Sequence, residues 1–266
     1  MQSYQFQPPA FVVAPPVSPP VGIVWQTTFD DIQFPDRRPG EHWRQSDLLS
    51  DAAVGIVGDG IKGYGGWTVN GFEDRIIAEA NHPGGLGGKG FRHYRGDGTN
   101  RNGGGILISL PSTYPELWCR FYMRYQSGFA WSPAGQPLYT KDMYVNVGSA
   151  QSWAYGIQGG GARWGIFNGS SGVPSTKTWT DVMGGPVGDG LWHCYEWHIQ
   201  HGTNALVEIW IDDVQYLSTR TTMRPGGTSY LALGSNQHSV TGAGATPWYT
   251  DYDDIAVSNL GRIGPL

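Results

Sequence analysis

The sequence is poor in cysteine and in charged residues, and it contains no long apolar run. Its 266 residues include two cysteines, and only 15% of them are charged. A membrane-spanning helix needs about 18 or more consecutive apolar residues, so none is predicted. The formal net charge is −5, which gives no reason to expect a nucleic-acid partner. These shortages exclude a membrane-spanning protein and a basic nucleic-acid-binding protein.

The two cysteines, Cys119 and Cys194, each lie in a predicted strand with aromatic neighbours. Two interpretations stay open at this point: two buried free thiols, or a disulfide between neighbouring strands. Neither interpretation identifies the redox compartment.

Glycine and tryptophan are abundant, at 41 and 12 residues. So many aromatic residues argue against a disordered chain. Glycine-rich turns between short aromatic or β-branched runs are typical of all-β proteins. No convincing amphipathic helix is present, and regularly spaced strands indicate a sandwich. We therefore predict an all-β fold, a two-sheet antiparallel jelly-roll sandwich with a concave groove.

The first residues differ in composition from the rest, and include the stretch "QPPAFVVAPPVSPPVG". Proline-rich segments of this kind form semi-rigid, extended linkers. No basic segment followed by an apolar run is seen, so no signal peptide is expected in this chain. We predict an arm at residues 1–21 that attaches to a docking partner, and a single domain at 22–266. Secretion and display on a virion surface both fit, so an extracellular protein is expected.

Three stretches carry a resemblance to a known superfamily. They are the hairpin "WHCYEWHIQ…NALVEIWIDDVQY", the opening "TTFDD" and the ending "YDDIAVSN". Over roughly residues 22–264 the chain resembles the concanavalin A-like lectin/glucanase superfamily. This superfamily includes laminin-G-like sugar-binding modules and jelly-roll polysaccharide lyases. The resemblance implies a sandwich fold, a polysaccharide partner, and a structural calcium near the chain ends.

The stretch "LWCRFYMRYQ" places polar and aromatic side chains on one side of a predicted strand. With a period of two, Leu117 and its alternate neighbours face the core. The other side then carries Trp118, Arg120, Tyr122 and Arg124. Aromatic faces suit sugar rings, and arginine forks match carboxylates or sulfates. We predict that this side lines a groove for an anionic polysaccharide.

The same alternation assigns outward positions in the neighbouring predicted strands. If these strands share one sheet with the stretch above, the groove also carries Tyr144, Asn146, Glu196, His198, Glu208 and Trp210. The alternative is that several of these residues belong to an outer sheet and form cross-strand salt bridges.

The glycine-rich stretch "GGKGFRHYRGDGTNRNGGG" is a second candidate for holding anionic sugar. Its candidate substrate-binding residues are Arg92 and His93. It is not a phosphate-binding loop, because its lysine is not followed by serine or threonine and no helix follows.

Two enzyme chemistries fit such a set of residues. A lyase needs a group that neutralises the carboxylate, and Arg120, Arg124 or Asn146 are candidates. It also needs a base and an acid, for which Tyr122, Tyr144 or His198 are candidates.

A glycoside hydrolase would need Glu196 and Glu208 at a catalytic spacing, about 5–5.5 Å for a retaining enzyme. No strand carries alternating carboxylates, which disfavours a hydrolase. We predict a lyase that cleaves a uronic-acid glycan by β-elimination. The alternatives are a non-catalytic carbohydrate-binding module and a structural sandwich domain of a virion or extracellular filament.

Paired aspartates occur in the first and last predicted strands of the domain. If these strands pair, Asp30 and Asp31 lie near Asp253 and Asp254. Carboxylate oxygens are hard ligands that suit Ca²⁺. We therefore predict a possible structural calcium there, and the alternative is that these aspartates cap turns. No spacing of histidine and cysteine suits zinc.

Overall fold

A computed structural model describes residues 22–30, 61–63, 75–94, 106–128, 141–147, 150–157, 163–167, 180–183, 188–223, 225–235 and 248–266. The proline-rich arm and Asp31 lie outside these ranges. Within them, no helix is long and apolar enough to cross a membrane.

The described elements are strands, apart from one 3-10 turn at Ala78–Ala80. The strands are β1 Ile23–Thr27, β2 Ile61–Gly63, β3 Arg75–Ile77, β4 Gly90–Tyr94, β5 Ile106–Tyr114, β6 Glu116–Tyr125, β7 Lys141–Val147, β8 Ala150–Ile157, β9 Arg163–Phe167, β10 Thr180–Met183, β11 His193–Gln200, β12 Ala205–Ile211, β13 Val214–Thr221, β14 Thr228–Ser235 and β15 Tyr249–Ser258.

The strands form two open sheets, and every pairing is antiparallel. Sheet A has the order β13-β12-β11-β6-β15-β4-β3, and β1 also pairs with β15. Sheet B has the order β10-β9-β8-β7-β14-β5-β2. The predicted two-sheet antiparallel sandwich is thereby confirmed.

The core follows the period of two that the sequence shows. In β6, Leu117, Cys119 and Phe121 are fully buried, and β12 alternates buried with half-buried positions. In β14 of the opposite sheet, Leu231 and Leu233 belong to the same hydrophobic cluster. Burying one such side chain contributes about 1.5–3 kcal/mol, so this shared interior holds the sheets together.

One strand lies in a different sheet from the one that was predicted. Tyr144 and Asn146 belong to β7, which pairs with β14 and β8 in sheet B. The expectation that β7 shares a sheet with Arg120 of β6 is therefore wrong. Alternation assigns a residue to one side of its strand, but it does not determine which sheet the strand joins.

The two cysteines are free thiols. Cys119 is the cross-strand partner of Trp197, whereas Cys194 is the partner of Tyr122. Tyr122, the partner of Cys194, is three residues from Cys119 along β6. Because this number is odd, the two cysteines face opposite sides of sheet A. The structure therefore favours the interpretation of two buried thiols over the disulfide.

Candidate functional site on the outer face of sheet A

The side of sheet A that faces away from sheet B, here called the outer face, carries most of the residues predicted for the site. Cross-strand register explains this, because residues directly opposite each other share a side. Arg120 is opposite Glu196, and Glu196 is opposite Trp210. The predicted site residues on this face are Arg92, Trp118, Arg120, Tyr122, Arg124, Glu196, His198, Glu208 and Trp210.

The centre of the outer face is covered by the segment that follows β15, residues 259–266, here called the C-terminal strap. The carboxylate of Glu196 accepts hydrogen bonds from the backbone N–H groups of Ile263 and Gly264, at 2.5 and 3.0 Å. The Nε of Arg262 donates to the same carboxylate at 3.2 Å. Glu196 is 1% exposed as a result.

The strap also covers Arg120 and Tyr122. Arg120 donates from Nη1 to the carbonyl of Gly264 at 3.3 Å, and from Nη2 to the carbonyl of Asp254 at 3.4 Å. The N–H of Leu266 donates to the hydroxyl of Tyr122 at 2.8 Å. Burial raises the pKa of Tyr122 to about 12. These two residues do not line an open groove, contrary to the expectation from sequence.

Two arginines of the outer face form hydrogen-bonded ion pairs with one buried carboxylate. Asp251 of β15 lies between Arg92 of β4 and Arg124 of β6, and its side chain is fully buried. Arg92 donates from Nε and Nη2 to Asp251 at 2.7 and 3.0 Å. Arg124 donates from the same two nitrogens at 3.1 and 2.5 Å. Burial alone would lower the pKa of Arg92, but the hydrogen bond and charge of Asp251 raise it.

Both arginines also lie over aromatic rings. The guanidinium carbon of Arg92 is 3.6 Å from the ring centroid of Tyr249, and that of Arg124 is 4.9 Å from the ring of Trp192. Such cation–π contacts contribute about 0.5–1 kcal/mol at exposed sites. The rings therefore help to fix the direction of both guanidinium groups.

His198 lies between two carboxylates at the other end of the face. Its Nδ1 is 2.7 Å from Glu208, and its Nε2 is 2.7 Å from Glu116. Only a ring with a proton on each nitrogen donates to both. Glu208 also accepts from Gln215 at 2.9 Å. In register Glu208 is opposite His198 rather than Glu196, so the two glutamates considered for a hydrolase are not cross-strand partners.

Aromatic rings are spread across the outer face. Trp118 stacks on His198 with ring centroids 4.1 Å apart, and Arg262 lies 4.8 Å from the ring of Trp210. Four half-buried rings contact a charged side chain or a histidine ring on this face, and we call them the aromatic band: Trp118, Trp192, Trp210 and Tyr249.

His93, a predicted substrate-binding residue, does not belong to this face. It alternates with Arg92 along β4, is fully buried, and stacks near Phe91 with ring centroids 6.3 Å apart. It therefore lies on the core side of sheet A. The short strand that the sequence indicates at Gly90–Tyr94 is present, and its alternation puts Arg92 and His93 on opposite sides of sheet A, so the two cannot line one face.

Three of the four predicted metal ligands lie beside the loop of residues 81–88. The backbone N–H of His82 donates to Asp253 at 2.7 Å, and that of Leu86 donates to Asp254 at 3.0 Å. The Nδ1 of His82 is 2.9 Å from Asp254, and the N–H of Gly88 donates to Asp30. The loop backbone thus wraps around the three carboxylates.

The loop approaches these carboxylates so closely that only glycine fits at two positions. A Cβ on Gly85 would lie 2.0 Å from Oδ2 of Asp254, and a Cβ on Gly87 would lie 1.8 Å from Oδ2 of Asp30. Burial, together with the charges of Asp254 and Asp30, raises the pKa of Asp253 to about 8. Burial and mutual repulsion therefore disfavour the ionised form of Asp253.

The donor chemistry of this cluster, hard oxygen atoms, suits calcium. However, within the ranges given above, no group of three or more histidine, cysteine, aspartate or glutamate residues is arranged to hold a metal ion. The three carboxylates would therefore need backbone oxygens to complete a site.

A second histidine between carboxylates was missed by the sequence analysis. His193 approaches Asp212 through Nδ1 at 2.5 Å and Asp189 through Nε2 at 2.9 Å. Asp251, Trp192, Tyr249 and Glu116 were also missed. A signal existed for Asp251 and for Glu116, since each lies two positions before a predicted residue of its strand, Asp253 and Trp118, and so faces the same side.

No protein-family model and no curated protein matches this sequence. Solved structures do match. The cellulose-induced protein Cip1 superposes with a TM-score of 0.50 and 11% identity, over 73% of this chain and 88% of that chain. A structure of botulinum neurotoxin type C, whose cell entry depends on two ganglioside molecules, has a TM-score of 0.50 and 11% identity.

The match to the neurotoxin covers 78% of this chain and 44% of the longer neurotoxin chain. The alginate lyase Aly36B, in complex with an alginate tetrasaccharide, has a TM-score of 0.45 and 13% identity, over 66% of this chain and 82% of that chain. Identities this low show the fold alone. The described part of the chain has a two-sheet antiparallel β-sandwich fold, in agreement with the fold that the sequence resemblance implies.

Proposed function

We propose that the protein recognises a polysaccharide through the outer face of sheet A. The observation that carries the proposal is the aromatic band, in which each half-buried ring contacts a charged side chain or a histidine ring. Carbohydrate sites combine aromatic surfaces with a few placed polar groups. Sugar rings offer C–H patches to the former and hydroxyl groups to the latter.

The band is held rigidly before any ligand arrives. Trp118 lies almost parallel to the ring of His198, which is itself bound to Glu116 and Glu208. Groups that are already fixed lose little conformational entropy on binding. This pre-organisation supports a binding role.

The finer hypothesis, a lyase that cleaves an anionic uronic-acid glycan, stands beside simple binding as a proposal. Elimination needs an accessible base next to a cation. Arg120 and Tyr122 lie close together but beneath the strap, and Arg124 is bound to Asp251. These contacts favour binding without turnover.

A binding experiment tests the proposed face. We expect Trp118→Ala and Trp210→Ala each to weaken retention of the protein in affinity gels that contain neutral or acidic polysaccharides. Tyr230→Ala is the matched control, because Tyr230 lies in β14 of sheet B. Loss of binding in the control alone would move the site to sheet B, and retention by no polysaccharide would contradict the proposed function.

Turnover is measured separately. β-Elimination leaves an unsaturated sugar ring that absorbs in the ultraviolet, so we would follow absorbance with alginate, polygalacturonate and neutral glucans. A rise with one polymer would establish a lyase. A flat trace together with retention in the gels would establish a non-catalytic module.

A structural cation at Asp30, Asp253 and Asp254 is a further proposal. The three neighbouring carboxylates repel one another, as the raised pKa of Asp253 indicates, and the ring of His82 contacts Asp254. A bound cation would stabilise the loop of residues 81–88 against this repulsion. We expect EDTA to lower the thermal midpoint of unfolding and added Ca²⁺ to restore it. The control is addition of Mg²⁺ in place of Ca²⁺. An unchanged midpoint after exhaustive chelation would contradict the proposal.

We also propose that the protein acts outside the cell, as a secreted protein or on a virion surface. Extended polysaccharides are found there, and the proline-rich arm of residues 1–21 is suited to hold the domain away from its docking partner. A structural role on a particle predicts co-purification with that particle, and the arm-deleted protein should then be lost from it.

A further inference from the structure

Two arginines and one aspartate lie in register across three neighbouring strands of sheet A. Arg92 of β4 is the cross-strand partner of Asp251 of β15, and Asp251 is the partner of Arg124 of β6. Neighbouring strands lie about 4.8 Å apart, so the two arginine positions are roughly 10 Å apart. Cross-strand partners share a side of the sheet, which places these positions together on the outer face. We call Arg92 and Arg124 the arginine row.

The row concentrates positive charge on a protein whose net charge is −5. Asp251 is the one carboxylate in register with it, and its side chain is fully buried beneath Arg92 and Arg124. A single arginine would neutralise Asp251, so the second guanidinium group leaves an excess positive charge. Glu79 lies beside the row, but it contacts both arginines through its backbone carbonyl.

Donors on the row remain available. Arg92 and Arg124 use Nε and Nη2 for Asp251 and for the carbonyl of Glu79. Among the described residues, nothing accepts a hydrogen bond from the Nη1 of either arginine. The side chains of Arg92 and Arg124 are 12% and 22% exposed. Each guanidinium group is therefore partly exposed, and it is held in place by Asp251 and by the carbonyl of Glu79.

The surroundings of these donors suit a sugar that carries a negative charge. Tyr249 and Trp192 of the aromatic band lie against the two guanidinium groups. Planar guanidinium forks bind carboxylates and sulfates with defined geometry, and a fork held by a buried partner is already oriented. The spacing by strands further suits a ligand with repeated anionic groups.

We propose that the arginine row binds the carboxylate or sulfate groups of an acidic polysaccharide laid across β4, β15 and β6. The proposal rests on the proposed function and specifies the class of ligand.

The test measures binding of dextran sulfate, polygalacturonate and uncharged dextran by isothermal titration calorimetry. Dextran sulfate carries only sulfate groups and polygalacturonate only carboxylates, so the two polymers separate the sources of charge. We expect Arg92→Lys and Arg124→Lys each to weaken polyanion binding about tenfold, the loss expected for one charge-assisted hydrogen bond. Both variants keep a positive charge next to Asp251 but lose the planar fork, and urea denaturation checks that each variant still folds.

Arg220→Gln is the matched control, because Arg220 is exposed on β13 of the same sheet and donates to the backbone carbonyl of Asn204. Its affinity for the polyanions should equal that of the wild type. Wild-type affinity should also fall steeply with added sodium chloride, a readout that needs no variant.

The outcomes separate the two levels of the proposal. Equal binding of dextran and of both polyanions would retain glycan recognition and overturn the row. Binding of no polymer would overturn the proposed function as well. Unchanged affinity in both row variants, or affinity that does not respond to salt, would contradict the proposal that the arginine row binds the anionic groups. Binding of sodium sulfate without either polymer would overturn the polysaccharide as its ligand.

Discussion

Burial decides the role of each charged residue on the outer face more than its chemical type does. Arg120 is 5% exposed and donates to two backbone carbonyls, so it acts as a structural partner of the strap. Arg124 has the same side chain on the same strand, but its side chain is 22% exposed and pairs with a buried carboxylate. From sequence the two arginines were equivalent, and the structure gives them different surroundings.

Asp251 is the residue whose loss we expect to be most damaging. The variant Asp251→Ala should lower the free energy of unfolding by about 3–5 kcal/mol, because two arginines would lose their buried partner. Urea denaturation measures this change. Asp213→Ala is the control, since Asp213 is 62% exposed where it pairs with Arg262, and an exposed pair contributes at most about 1 kcal/mol. Equal losses in the two variants would contradict the anchoring role of Asp251.

The thiols provide a second test at this scale. Burial raises the pKa of Cys194 to about 12 and that of Cys119 further. Because the thiolate is the reactive form, neither cysteine should react with a disulfide reagent in the native protein at neutral pH. Both should react in denaturant. Rapid labelling of one thiol in the native state would show that its surroundings open.

At the scale of elements, one histidine joins the turn between β12 and β13 to the segment before β11. Asp212 and Asp213 both have positive φ angles, 49° and 69°. Asp212 accepts from the backbone N–H of Cys194 at 2.9 Å and contacts the ring of His193. On the other side of the same ring lies Asp189. The charge on His193 therefore holds two loops together.

This link predicts how stability depends on pH. Burial alone would lower the pKa of His193, but Asp212 and Asp189 raise it above its ordinary value. The protonated ring stabilises the fold fully below the unfolded pKa, about 6.5, and this contribution is lost as the pH rises through the folded pKa. The pKa of Asp212 is lowered, despite burial, by His193 and by the N–H of Cys194. Its contribution is lost only when the pH falls through that lowered folded pKa.

We therefore expect the wild type to exceed His193→Gln in unfolding free energy at neutral and mildly acidic pH. The difference should shrink as the pH rises above the folded pKa of His193. Urea midpoints across this range measure it. The variant Asp189→Asn removes one of the two carboxylates that raise the pKa of His193. In this background the stabilisation by His193 should be lost at a lower pH. Parallel curves for wild type and His193→Gln would contradict the link.

At the scale of the whole molecule, the strap joins the end of the described chain to the middle of sheet A. It supplies three donors to the buried carboxylate of Glu196, one acceptor to Arg120 and one donor to Tyr122. These three partners, Glu196, Arg120 and Tyr122, are all far from the strap in sequence. The strap therefore stabilises the tertiary structure and covers the centre of the face.

Removing residues 260–266 should lower the free energy of unfolding by about 3 kcal/mol, because a buried carboxylate and a buried guanidinium would lose partners. Thermal and urea denaturation measure the loss. The control removes only residues 265–266, which keeps the donors of Arg262, Ile263 and Gly264 to Glu196. Equal stability of the full chain and the longer deletion would show that the strap contributes little.

The sequence by itself determined the all-β class, the core side of β6, β11 and β12, and the aromatic and charged character of the opposite side. These follow from local alternation, which requires no knowledge of distant residues. The pairing of the ends of the domain was also inferred from sequence, and Asp30 does lie near Asp253 and Asp254.

Only the tertiary structure decided which residues share a surface and which of them reach solvent. Tyr144 lies in sheet B rather than in the expected sheet, because strand pairing is set by long-range contacts. Arg120, Tyr122 and Glu196 became buried because residues 259–266 fold back over them. His93 faces the core because it alternates with Arg92 along β4, so these two predicted residues lie on opposite sides of sheet A. Alternation is a local property, whereas sheet membership and burial depend on segments far apart in the chain.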